Sequence, residues 1–393
     1  MKSKLFLFLT IAVFALTACA TPAPKATPTE VPADPYPAEA TAEATLVPTE
    51  PYPVAEPTGA TVESYTVVDA LGREVSFDKV PERIALVGKG VFMVADAVYT
   101  FPETSTNVIA IAAMNQKSEA FLKMIDLDYA SKQSIDRTAG PEQIAALQPD
   151  CVILKTTNPD VGAGLDTLQI PYIYVDFETP EQYSRDLQTL GQLFQNPDRA
   201  TALSSFFTGN VKMVETALAN LTEEEKPDTL LLYYNELDGA IAFNVAPAAW
   251  MQTTIVEMAG GNPVWKDSPL DKGWTKVSLE QVAAWNPEVI VVTAYTLSIP
   301  DVVEKLKADP QWQELEAVKN GKLYGMAADV YSFDQPDTRW ALGVEWLAAT
   351  LHPDRFQGYD LTQSAQKFYQ VLYNLDETSF QQNIAPILTG ATN

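Results

Sequence analysis

Three cations and three phenols in this chain stand where a bound solute would meet them. Lys89 lies in Gly88-Lys89-Gly90 after the apolar run Ile84-Ala85-Leu86-Val87, and Lys155 closes Cys151-Val152-Ile153-Leu154. Tyr234 ends Thr229-Leu230-Leu231-Leu232-Tyr233, Tyr295 follows Val289-Ile290-Val291-Val292, and Tyr331 precedes Arg339 by one polar loop. Ammonium and guanidinium groups hold carboxylates or oxyanions, the guanidinium in bidentate fashion. Phenols supply flat walls, and Tyr295 or Tyr331 could complete the coordination sphere of a chelated iron. Arg339 has a second reading, as a surface partner of Asp337. This is chemistry for binding and not for turnover. The chain has no Gly-x-Ser-x-Gly elbow and no Walker loop, and Gly88-x-Gly90 and Gly162-x-Gly164 both lack the third glycine of a dinucleotide turn. The acid pair Glu236 and Asp238 is too ordinary in so acidic a chain to mark a glycosidase. No enzyme activity is expected.

The elements that must position these residues are written twice. Pro141-Glu142-Gln143-Ile144-Ala145-Ala146-Leu147-Gln148-Pro149-Asp150 leads into Cys151-Val152-Ile153-Leu154, and Leu279-Glu280-Gln281-Val282-Ala283-Ala284-Trp285-Asn286-Pro287-Glu288 leads into Val289-Ile290-Val291-Val292. Each copy predicts a short amphipathic helix, a proline stop and a strand apolar on both faces, as in a parallel sheet covered by helices. Duplication implies two Rossmann-like α/β lobes with a ligand cleft between them. In open α/β sheets that cleft lies beyond the carboxyl ends of the strands, where the six residues sit.

Around the repeats, residues 64–69 and Glu74–Phe77 read as a β-hairpin, and helices are expected over 91–101, 248–259, 338–351 and 361–388. Segments 180–195 and 197–225 read as helices broken at Asn196-Pro197-Asp198, the second a rigid brace between lobes. The expected organisation is a leader over 1–19, a Pro/Thr-rich tether over 20–62, an N-terminal lobe over 63–179, connecting helices over 180–225 and a C-terminal lobe over 226–393. All seven tryptophans fall at or after Trp250 and are candidates for aromatic walls.

Lys plus Arg number 26 against 51 Asp plus Glu, a net charge of −25. Such a surface repels phosphate backbones, so a nucleic-acid partner is not expected. Lys2 and Lys4 followed by an apolar run ending in Leu16-Thr17-Ala18-Cys19 resemble a bacterial lipoprotein signal, which implies acylation of Cys19 and contact with the membrane through that anchor alone. Cys151, inside an apolar run, is expected to be a buried hydrophobe.

Taken in order, Asp69-Ala70-Leu71-Gly72-Arg73-Glu74-Val75, Pro81-Glu82-Arg83-Ile84, both repeat copies, Ala259-Gly260-Gly261-Asn262 and Trp346-Leu347-Ala348 to Leu351-His352-Pro353 resemble the substrate-binding lipoproteins of iron-chelate and vitamin B12 ABC importers, the class III periplasmic binding proteins. The resemblance covers Tyr65 to Phe356. It implies two lobes joined by a long helix, and an extracytoplasmic, lipid-anchored monomer that delivers a metal chelate (iron-siderophore, haem or corrinoid) to a dimeric ABC permease. It also implies that one glutamate per lobe docks on permease arginines, and Glu142 and Glu280 occupy matching repeat positions. Each also sits in a helical first turn, where a carboxylate is favoured in any case. Importers of bare zinc or manganese need several histidines, and this chain has only His352, which reads as a capping or core residue. No cofactor is expected. An oxyanion or other small anionic solute, or a surface interaction protein that keeps the fold without transport, is the alternative. Residues 357–393 extend past the family's markers.

Overall fold

The two repeat copies fold alike. In the computed structural model, which describes residues 64–114, 118–237 and 239–390, helix Pro141–Ala145 feeds strand Cys151–Lys155, and helix Leu279–Trp285 feeds strand Val289–Thr293. The residue before each proline turns left-handed, Gln148 at φ 53° and Asn286 at φ 47°. That turn ends the helix and lets the chain reverse into the strand. The leader with Cys19, the tether, and Asp238 lie outside the described residues.

The first sheet has the order Gln133–Ile135, Val108–Ala112, Ile84–Leu86, Cys151–Lys155, Tyr172–Val175, with every neighbouring pair parallel. Chain order reverses between Ile84–Leu86 and Cys151–Lys155, which is where a doubly wound sheet opens a crevice. Val152, Ile153 and Leu154 are fully buried, each contributing about 1.5–3 kcal/mol through removal from water. In the second sheet Asp228–Leu237 and Leu323–Gly325 flank Val289–Thr293 in parallel, while Ala240–Val245 returns antiparallel and carries Thr275–Val277 on its far edge. The predicted hairpin forms between Tyr65–Val68 and Glu74–Phe77.

Helices Pro180–Leu193 and Pro197–Ala217 connect the sheets. The second is shorter than expected: it closes at Leu218, and Thr222 starts a separate turn over Glu223–Glu225. Its inward stripe holds Leu203 and Phe207, and Phe207 stacks on Trp340 at 5.5 Å. Arg199 donates to the carbonyls of Thr100, Val371 and Leu372, tying this helix to the first sheet's layer and to the chain's end. The expected helix over 361–388 is divided into Leu361–Tyr373 and Glu377–Asn383, because Asn374 is left-handed and Asp376 caps a new start.

Helix Trp340–Leu351 is buried along most of its length, Glu345 included at 4% exposure. Burial pushes the Glu345 carboxyl up to about 7, against the opposing pull of Ser364 and Lys367. The folded state therefore holds this proton more tightly than the unfolded chain, so stability falls as pH rises from the ordinary glutamate range to neutrality. In urea melts at pH 5 and pH 8, the wild-type loss between the two should shrink by roughly 2–3 kcal/mol in Glu345→Gln. An unchanged pH slope would show that Glu345 is not its source.

Candidate functional site

At the first sheet's switch point, strand Ile84–Leu86 runs into Gly88-Lys89-Gly90 and then helix Val91–Val98. Gly88 has φ +87°, and a Cβ there would lie 2.7 Å from Asn158 Oδ1. Glycine thus lets Asn158 close over the loop, accepting from the Lys89 amide at 2.9 Å. The Lys89 side chain is exposed and forms no ion pair among the described residues. With Val91, Phe92, Ala113, Met114 and Arg137 this loop lines a cavity of about 220 Å³.

The second sheet's carboxyl edge is aromatic. Tyr233 pairs across the ladder with Thr293, the last residue of its strand. Its ring lies 4.5 Å from Tyr295 and 4.9 Å from Trp274, and Trp274 meets Trp250 edge-on at 5.6 Å. All four rings are half-buried. Behind them lies Asp334, fully buried. It accepts from Tyr295 at 2.6 Å, from Thr293 at 2.8 Å and from Ser332. Burial pushes the Asp334 carboxyl up, while these three hydroxyls pull against that. Burial and the Asp334 charge raise Tyr295 well above the usual phenol range, so it stays protonated.

The two carboxyl edges meet where Phe92, at the start of the first sheet's helix, packs on Tyr331 at 5.5 Å. Tyr331 follows strand Leu323–Gly325 of the second sheet, one residue before Ser332. The accessible wall has two parts, Lys89 and Phe92 on the first lobe and Tyr233, Tyr295 and Trp274 on the second, with Tyr331 buried where the lobes touch.

Of the six residues singled out in the sequence, Lys89 and Tyr295 stand on this wall. Lys155 is 2% exposed, folded beneath Gly90, and pairs with Glu178. Tyr234 alternates to the opposite face of its strand, where its hydroxyl bonds Glu236 at 2.8 Å and Lys305 at 2.9 Å. Tyr331 is 2% exposed between the lobes, and its ring lies 4.7 Å from the Arg339 guanidinium. Arg339 neither clamps a solute nor makes a surface pair. It is fully buried and bonds Asp96 of the first lobe, Asp329 at 2.7 Å and Tyr369 at 2.9 Å. Four tryptophans, Trp265, Trp312, Trp340 and Trp346, are core residues. His352 is buried with Nε2 3.1 Å from the Gly260 carbonyl, and Cys151 is buried with its thiol pushed up by desolvation.

Sequence reasoning passed over Phe92, Arg137 and Tyr233. Strict alternation along Thr229–Tyr234 was the available signal for Tyr233, since residues of odd and even number face opposite ways. Glu142 and Glu280 are both exposed in the first turns of their helices, and Ser278 bonding pulls the Glu280 carboxyl below its ordinary value.

Two α/β layers whose carboxyl edges meet at a lined crevice, with one long helix joining them, define a two-lobed binding protein. The chain belongs to the periplasmic binding protein family, whose model matches residues 83–330. The relatives that it matches are named as solute-binding proteins. It is 26% identical over 267 residues to the molybdate-binding protein MolA of Haemophilus influenzae, covering 59% of this chain and 69% of that one. A vitamin B12-binding protein of Yersinia pestis is 27% identical over 197 residues, covering 50% of this chain and 65% of the relative, just under two thirds of its length. A periplasmic solute-binding protein of Veillonella parvula superposes with a TM-score of 0.67 at 25% identity, covering 82% of this chain and 97% of that structure. The molybdate-bound MolA structure shares the fold, with a TM-score of 0.64 at 20% identity, over 79% of this chain and 98% of its own.

Proposed function

We propose that this chain is an extracytoplasmic lipoprotein, anchored through Cys19, that carries an anionic metal chelate with an organic shell to a dimeric ABC permease and docks through Glu142 and Glu280. The cargo class is an iron-siderophore, haem or corrinoid. One observation carries the reading: the edges that touch at Phe92 and Tyr331 carry a cationic rim, Lys89 and Arg137, on one lobe and the aromatic cluster of Tyr233, Trp250, Trp274 and Tyr295 on the other. Cations attract the chelate's acidic groups, rings bury its organic shell, and cations disfavour a bare metal ion. No helix among the described residues is long and apolar enough to cross a membrane, which accords with an anchor at Cys19. A tetrahedral oxyanion is the second reading, favoured by the cationic rim and by the molybdate-binding relative.

Tryptophan fluorescence titrated with haemin and with ferric tris-catecholate tests the cargo class. At least one probe should saturate, and Lys89→Glu should weaken it about tenfold at 0.15 M salt, with the gap closing as salt screens the rim. Failure of both probes, and of cyanocobalamin as a third, to quench would contradict the proposal.

A further inference from the structure

Among the described residues, Asp334 pairs with no cation. Its carboxylate is fully buried, and the side chains that hold it are all hydroxyls, beside its own backbone amide: Tyr295 donates to Oδ2 at 2.6 Å, while Thr293, at 2.8 Å, and Ser332 donate to Oδ1. Each hydroxyl has one hydrogen. The Tyr295 and Ser332 hydrogens are thus committed to Asp334, and that of Thr293 to Asp334 or to Ser332, 2.8 Å away. Gln252, 3% exposed, turns its amide nitrogen to the Tyr295 hydroxyl at 3.4 Å, which leaves its Oε1 without a partner among the described residues. The carboxyl edge of the second sheet therefore presents ring faces and lone pairs backed by a negative charge, and the hydroxyl hydrogens of Thr293, Tyr295 and Ser332 are used internally.

That arrangement opposes what a tetrahedral oxyanion needs. Such an ion is held by converging N–H and O–H donors, and a buried carboxylate behind the wall repels it in a medium that screens poorly. A chelate with an aromatic shell loses nothing there, because it needs flat surface. Specificity gained by disfavouring the competitor is as effective as added attraction to the cargo.

We infer that Asp334 is a specificity-determining residue: by taking up the hydroxyl hydrogens of Thr293, Tyr295 and Ser332 and lodging a charge behind the aromatic wall, it turns the crevice against small oxyanions and toward organic-shelled ligands. This rests on the crevice being the solute site, as proposed above.

The test compares the full-length wild type with Asp334→Asn, which keeps the shape, removes the charge and adds two N–H donors. Isothermal titration with sodium molybdate should saturate Asp334→Asn at a concentration at least tenfold below that needed for the wild type. Asp334→Ser, smaller and neutral, carries the same expectation should the amide fail to fold. Tyr295→Phe removes a donor but leaves the carboxylate, and should not gain molybdate affinity. No gain in either neutral variant, or an equal gain in Tyr295→Phe, would overturn the inference. Haemin, ferric tris-catecholate and cyanocobalamin titrated into the wild type report separately on the cargo class: if none binds while Asp334→Asn gains molybdate, the chelate reading falls and the role of Asp334 stands.

Discussion

Reversing the charge at Glu142 and Glu280 together should abolish solute delivery and leave solute binding in place. Both carboxylates are exposed and lie on matching helix starts of the two repeat copies, so in the proposed docking each lobe offers one anion to the permease. A charge-assisted hydrogen bond contributes about 1.5–3 kcal/mol, so losing two weakens docking by roughly 10²- to 10⁴-fold before any repulsion is added. The fold should feel little. A lysine in a helical first turn loses favourable macrodipole energy of about 0.3–1 kcal/mol per site, so the double variant melts only a few degrees lower. Permease reconstituted with the Glu142→Lys/Glu280→Lys protein should show no stimulated ATP hydrolysis, and each single variant should give a partial loss. Full stimulation by the double variant would remove these residues from the docking surface.

Replacing Arg339 by Met should be the most damaging single change to stability. The guanidinium sits fully buried among Asp96, Asp329 and Asp337, with Tyr369 bonded to it and Phe121 and Tyr331 at 4.6 and 4.7 Å. Asp96 belongs to the helix after the first sheet's opening strand and Tyr369 to the C-terminal helix, so the cluster fastens three parts of the molecule. Removing the cation leaves buried carboxylates uncompensated, at about 3–5 kcal/mol. The penalty should depend on pH with a defined sign. Burial pushes Asp96 up to about 6 even with Arg339 beside it. The folded state thus binds more protons than the unfolded chain between the ordinary aspartate range and about 6, and this group lowers stability as pH rises through that window. Without the guanidinium the proton is held more tightly still. Urea melts should therefore show a larger loss for Arg339→Met at pH 7.5 than at pH 5. A loss under 1 kcal/mol, or one that is flat with pH, would contradict the cluster's role.

Much of the architecture was legible because local signals agreed with one another. Both repeat copies joined helix, proline stop and apolar strand in one order, and the alternation of such units implies a parallel sheet. The strand Gln133–Ile135 was not legible: it is a three-residue sheet edge with two exposed positions and no apolar run. Arg137 follows it, so that cation of the rim went unseen. Arg339 was misjudged because Asp96 is 243 positions away in sequence, and no local pattern announces such a partner. Lys155 reads as a strand-end cation, yet its partner Glu178 lies beyond the next strand. The segment 357–393 had no readable role, and in the structure Phe368, Tyr369 and Phe380 are fully buried there.

What the crevice holds in the cell decides the account. Native mass spectrometry with absorbance spectra, taken on protein purified from its own host, should reveal a bound mass carrying a metal and an organic chromophore, lost from a variant with Trp274 and Tyr295 both changed to Ala. A bound bare oxyanion, or a chromophore retained undiminished by that variant, would contradict the claim that a cationic rim and an aromatic wall select a metal chelate.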